Sequence, residues 1–180
     1  MKNRQGGFTL VEVIVVAGII AILAGILVPL ILKEIDEARI TRAYADIRTI
    51  STAMIVLKKD TGSWPVSASC NPAITMLSNG DLPIFTGTGW DATTGYGYDQ
   101  KLINDADNDN CWPKTFKGPY IAYVSDDPWG KSYVTNADAF VSAASPKPSV
   151  WILSAGPDGI VQTSSTDGTT QGDDVGLRVL

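Results

Sequence analysis

Histidine is absent from the 180 residues. That absence removes Ser-His and Cys-His catalysis together with the commonest zinc ligand. Carboxylate-based hydrolysis is left standing, but no pattern in the chain points to it. Cysteine is nearly absent too, with only Cys70 and Cys111 present. Positive charge is scarce: 14 Lys and Arg stand against 19 acids, a net charge of −5. A basic face for nucleic acid is therefore excluded as a working reading. Charge of either sign is missing altogether from Val13 to Leu32.

That uncharged run is long enough to cross a bilayer as a helix, since a hydrocarbon core of about 30 Å needs roughly 20 apolar residues. Lys2 and Arg4 precede it, so the positive-inside rule puts the N-terminus in the cytoplasm and the rest of the chain outside. In an oxidising exterior, two cysteines form one disulfide, Cys70 to Cys111, or remain two separate buried thiols. Glu12 stands at the edge of the apolar segment. A carboxylate there is costly without a partner and marks a functional position.

The stretch Gly6-Gly7-Phe8-Thr9-Leu10-Val11-Glu12 followed by that run resembles the class III signal of the type IV pilin and type II secretion pseudopilin superfamily. The resemblance implies that a prepilin peptidase cuts a short basic leader, residues 1–7, between Gly7 and Phe8. Phe8 then becomes the N-methylated mature N-terminus and Glu12 the family's acid. Pro29 matches a proline that the family carries within this helix. Removing the leader takes away two positive charges and no acid, moving the balance from −5 to −7.

Beyond the span, the helical pattern continues. Ile40, Ala43, Ile47, Ile50, Met54 and Leu57 recur three and four apart, tracing one apolar stripe. One helix is therefore expected over 8–62, with 13–32 in the membrane and Arg39, Arg42, Asp46, Arg48, Lys58 and Lys59 facing solvent. Gly62 can close it as a left-handed cap, and Pro65 blocks resumption. Pro29 removes a backbone hydrogen bond inside it, so the stretch from Gly18 to Pro29 is where a bend or local unwinding is expected.

Residues 63–180 form the exported head, of which 63–118 is a connecting region. A short helix near Pro72–Leu77 and a hairpin across Gly87–Gly97 are expected within it, and a Cys70–Cys111 bridge would staple it. Asp105, Asp107 and Asp109 alternate like the opening of a calcium loop, but Asn110 stands in the glycine position and Phe116 in that of the bidentate acid.

Strands are expected at Pro119–Val124, Lys131–Val134 and Val150–Ser154, with a turn at Asp126-Asp127-Pro128-Trp129-Gly130. Gly118-Pro119-Tyr120-Ile121, Asp127-Pro128-Trp129-Gly130 and Tyr133 together look like the major pseudopilin of type II secretion systems. The resemblance implies a calcium loop near the C-terminus. The matching positions are Asp158, Asp173 and Asp174, while Asp167 lies in a polar insertion, Thr163–Gln171. Clustered acids of this kind repel unless a cation sits among them.

The expected fold is α+β and pilin-like: a long N-terminal helix packed by its C-terminal half on a small antiparallel sheet. The resemblance implies a non-enzymatic structural subunit that polymerises into a filament. It would be made with a prepilin peptidase and an inner-membrane assembly platform, anchored in the inner membrane with its head in the periplasm. Region 63–111 is longer than a major pseudopilin needs and carries an unexpected cysteine pair, which keeps an extracellular type IV pilus subunit as the alternative. A membrane-anchored enzyme or binding module is a remote third reading.

Overall fold

A single helix, α1 (Leu10–Thr61), contains 52 residues. The computed structural model describes residues 7–62, 64, 77, 80–90, 102–103, 116–136, 138–141 and 149–179. The chain divides into two compact units, residues 1–38 and 39–180.

In the first unit every described residue is exposed. The α1 stretch from Leu10 onward is long and apolar enough to cross a membrane. Helical structure runs without interruption through Pro29, so the local unwinding expected there is not present. A proline withdraws one bond from the ladder, and the turns on either side supply the remainder.

The second unit is built on the amphipathic half of α1. Ala43, Ile47, Ile50, Met54 and Leu57 are buried as the spacing predicts, with Ser51 and Ala53 beside them, whereas Ile40 is 39% exposed. Arg39, Arg42, Arg48 and Lys59 face solvent as expected, while Asp46 and Lys58 are half-buried. Gly62 closes the helix at φ 74°, its N–H donating to the Lys58 carbonyl at 2.9 Å.

Among the described residues, five short strands and a one-turn helix follow: β1 (Ile84–Phe85), β2 (Val134–Thr135), α2 (Asp138–Val141), β3 (Trp151–Ser154), β4 (Ile160–Val161) and β5 (Val175–Arg178). The main sheet has the order β2-β3-β5 and is antiparallel throughout. A second pair, β1 with β4, is parallel. All four β3 residues are buried because both faces of the sheet are covered. Ile152 joins the core formed with Ile47, Ile50, Met54 and Leu57. Trp151 and Leu153 point the other way, into a cluster with Val134 and Val161 that Phe85 and Trp90 cap.

The strand expected at Pro119–Val124 does not form. Its β-favouring residues find no ladder: Pro119 has no N–H to donate, the Tyr120 N–H goes to the Leu102 carbonyl, and Tyr123 is 70% exposed. Strand propensity without a partner edge is insufficient. The third strand of the sheet is β5, from the tail. The strand expected at Lys131–Val134 shrinks to Val134–Thr135, with Lys131 making only an isolated bridge to Asp81.

The Asp127-Pro128-Trp129-Gly130 turn forms as expected, with Gly130 at φ 85°. Asp127 is buried and fully paired. Its Oδ1 accepts from the N–H groups of Trp129 and Lys131, and its Oδ2 from the Ser154 hydroxyl at 2.6 Å.

Candidate functional site

The first site is the start of α1. Thr9 occupies the N-cap and Glu12 the third helical position. Glu12 Oε2 accepts hydrogen bonds from the Thr9 N–H and the Thr9 hydroxyl, both 2.8 Å, and the Thr9 hydroxyl in turn accepts from the Glu12 N–H at 3.3 Å. This is a reciprocal capping box, which satisfies donors that a helix start leaves open. Thr9 is a partner that the reading of Glu12 missed, although the Thr-x-x-Glu spacing was available to find it. Phe8 is 90% exposed beside it, and an apolar indentation along the helix is lined by Phe8, Glu12, Val13, Val16, Ala17 and Ile20.

The second site lies between the end of β3 and β5. The turn Gly156-Pro157-Asp158-Gly159 has both glycines at positive φ, 66° and 70°, and a side chain on Gly156 would strike the Asp173 carbonyl. The turn thereby brings Asp158 against Asp173, whose Oδ2 accepts from the Asp158 N–H at 3.2 Å. Asp158 spends Oδ1 on the Ile160 N–H at 2.7 Å and Oδ2 on the Gln162 amide at 2.8 Å.

Asp174 is buried, at 6% exposure. Its Oδ2 accepts three hydrogen bonds, from the N–H groups of Gln162 and Thr163 and from the Thr163 hydroxyl, at 2.9, 2.7 and 2.6 Å. Asp174 Oδ1 and Asp173 Oδ1 are buried without a hydrogen-bond partner. Burial pushes the Asp174 carboxyl above its ordinary value, and the neighbouring Asp173 charge adds to this. The hydrogen bonds from Thr163 and Gln162 oppose it.

Asp158, Asp173 and Asp174 are thus brought together through Gln162, which sequence reasoning did not single out. Among the described residues, however, no three acids converge as a ready-made metal cage. Asp167 serves its own turn, its Oδ2 accepting from the Ser164 N–H at 2.8 Å. Cys70, Cys111, Asp105, Asp107 and Asp109 lie outside the described residues, as do most of the expected helix near Pro72–Leu77 and the second half of the hairpin across Gly87–Gly97.

Residues 2–28 match the family model described as the prokaryotic N-terminal methylation motif, a span that includes Gly7, Phe8 and Glu12. Over 133 residues, 73% of each chain, the sequence is 30% identical to the type II secretion system core protein G of Aeromonas hydrophila. It is 28% identical to the protein of the same description from Pseudomonas aeruginosa, again over 73% of each chain. The toxin coregulated pilin of Vibrio cholerae is 35% identical over 79 residues, 44% of this chain and 35% of the pilin. No solved structure matches.

Proposed function

Because this chain belongs to the family of type II secretion system core protein G, we propose that it is the major pseudopilin of such a system, a structural subunit that polymerises into a helical periplasmic filament. The observation that carries this reading is the α1 surface from Leu10 to Leu32. It is wholly apolar apart from Glu12, and none of it is buried within the chain. Such a surface requires cover. Lipid supplies it for the stored subunit, and neighbouring copies of the same helix supply it in the filament.

Processing between Gly7 and Phe8 by a prepilin peptidase would create an amine one residue before Thr9. Glu12, already held at that end of the helix, becomes its counter-charge on the same or an adjacent subunit, which makes a carboxylate tolerable in the filament core. Pro29 sits within the part of the helix that must pack between copies. An inner-membrane assembly platform would then draw the subunit from the bilayer, leaving the head in the periplasm.

Calcium belongs to the same proposal. The donors suit a hard cation: Asp173 and Asp174 each keep one buried oxygen without a partner, and Asp158 lies against Asp173. A cation bound there would neutralise the repulsion among the acids and tie the tail to the turn after β3. Asp105, Asp107 and Asp109 are the secondary candidate.

Deleting the gene and measuring export of folded proteins tests the function. Export is expected to stop and to return with the parent chain, but not with Glu12→Leu. Undiminished export in the deletion strain overturns the secretion role. In that case, the partial match to a pilin favours an extracellular type IV pilus subunit.

A further inference from the structure

Gln162 makes contact with all three acids of the tail site through three different groups. Its backbone N–H donates to Asp174 Oδ2 at 2.9 Å, its side-chain Nε2 donates to Asp158 Oδ2 at 2.8 Å, and its Oε1 accepts from the Asp173 N–H at 3.3 Å. The side-chain amide spans from the Asp158 carboxylate to the Asp173 backbone N–H, and its NH2 holds an oxygen of Asp158 that a cation at this site would need. Its seat is close-fitting: a side chain at position 172 would collide with Gln162 Oε1, and that position is Gly172, at φ 61°.

We propose that the Gln162 amide is a displaceable internal bridge that competes with a cation for Asp158 and must leave the Asp158 carboxylate for the cation to enter. The proposal rests on the cation reading of this site and names the residue that sets its strength. An amide can do this because its NH2 carries the partial positive charge that Asp158 accepts, while its oxygen takes the N–H of Asp173. The site is thereby held closed without metal, at the cost of competition with metal. A ligand role for Gln162 would have the opposite consequence, since removing a ligand weakens binding and removing a competitor strengthens it.

The experiment compares parent, Gln162→Ala and Gln162→Glu as processed full-length protein in detergent micelles. Melting is followed by tryptophan fluorescence, all five tryptophans lying beyond residue 61. Calcium chloride is the probe, against chelator and against magnesium chloride. In chelator, Gln162→Ala is expected to melt roughly 2–4 °C below the parent. In saturating calcium the two converge, so the calcium-induced rise is larger for the variant, and its calcium affinity is about five-fold tighter. Gln162→Glu loses the donor to Asp158 and adds a fourth carboxylate, so its calcium-induced rise is larger still.

A parent that responds to calcium while Gln162→Ala responds equally or less overturns the displacement proposal and leaves the cation site standing. A parent with no calcium response overturns the cation reading, and displacement falls with it.

Discussion

The Tyr133 hydroxyl donates a 2.9 Å hydrogen bond to Asp46 Oδ2, joining the approach to β2 to the amphipathic half of α1. Tyr133 is wholly buried. Asp46 is held in turn by Arg42, whose Nε lies 3.6 Å from the same oxygen, while the Arg42 guanidinium reaches the Ser125 hydroxyl and the Asp126 carbonyl at 3.4 and 3.5 Å. Helix, sheet and the turn at 125–130 are therefore connected through one tyrosine and one carboxylate.

Tyr133→Phe should lower the stability of the head by about 1 kcal/mol at neutral pH, the net worth of one hydrogen bond. Burial raises the Tyr133 pKa, and so do the hydrogen bond to Asp46 and the charges of Asp46 and Asp127, with Arg42 opposing. The folded chain thus keeps this proton where an unfolded tyrosine, with a pKa near about 10, loses it. The stability that Tyr133 contributes is full below that pH and is lost as pH rises above it. Parent and variant unfolding curves should therefore converge in alkaline solution, and a gap that widens there would contradict the assignment.

Gly87 and Gly89 let the 84–90 segment approach the 161–165 loop: a side chain at 87 would strike the Thr163 carbonyl and one at 89 the Ser165 hydroxyl. This approach seats Trp90, whose Nε1 donates to the Thr163 carbonyl at 2.7 Å. Gly87→Ala is expected to cost about 2 kcal/mol or more through loss of that packing. Gly168→Ala, which meets nothing within 4 Å, should be silent. Denaturant melts of the two variants check the contrast.

Asp174→Asn keeps an oxygen to accept from Gln162 and Thr163 and removes the charge that burial disfavours. In chelator its melting temperature should equal or exceed the parent's, and its calcium response should vanish. A variant with an intact calcium response would exclude Asp174 as a ligand.

Cys70 and Cys111 are expected to be oxidised to each other in exported protein, a closure for which the chain-entropy model gives about 4 kcal/mol before strain. Peptide mass mapping without reduction should find the linked pair. Two free thiols would refute it.

Legibility in the sequence followed how local each feature was. The stripe from Ala43 to Leu57, the cap at Gly62 and the Asp127-to-Gly130 turn depend on neighbours within a few residues, and spacing revealed them. Glu12 was visible as an acid in an apolar segment, whereas its partner Thr9, three residues before it, was not singled out. Strand pairing was poorly legible because it is settled by distant edges: Tyr120–Val124 has the composition of a strand and no ladder, while Val175–Arg178 pairs with β3 after a tail that looked like loop. Gln162 was invisible for a similar reason. No motif marks a glutamine, and only the fold brings it to Asp158, Asp173 and Asp174.

Electron microscopy of material sheared from cells that overproduce the chain with a prepilin peptidase and an assembly platform tests polymerisation most directly. The parent should yield helical filaments whose subunits begin at N-methyl-Phe8, while Glu12→Leu should be cleaved normally and yield none. Parent protein that is correctly processed yet remains as dispersed membrane subunits would contradict the account.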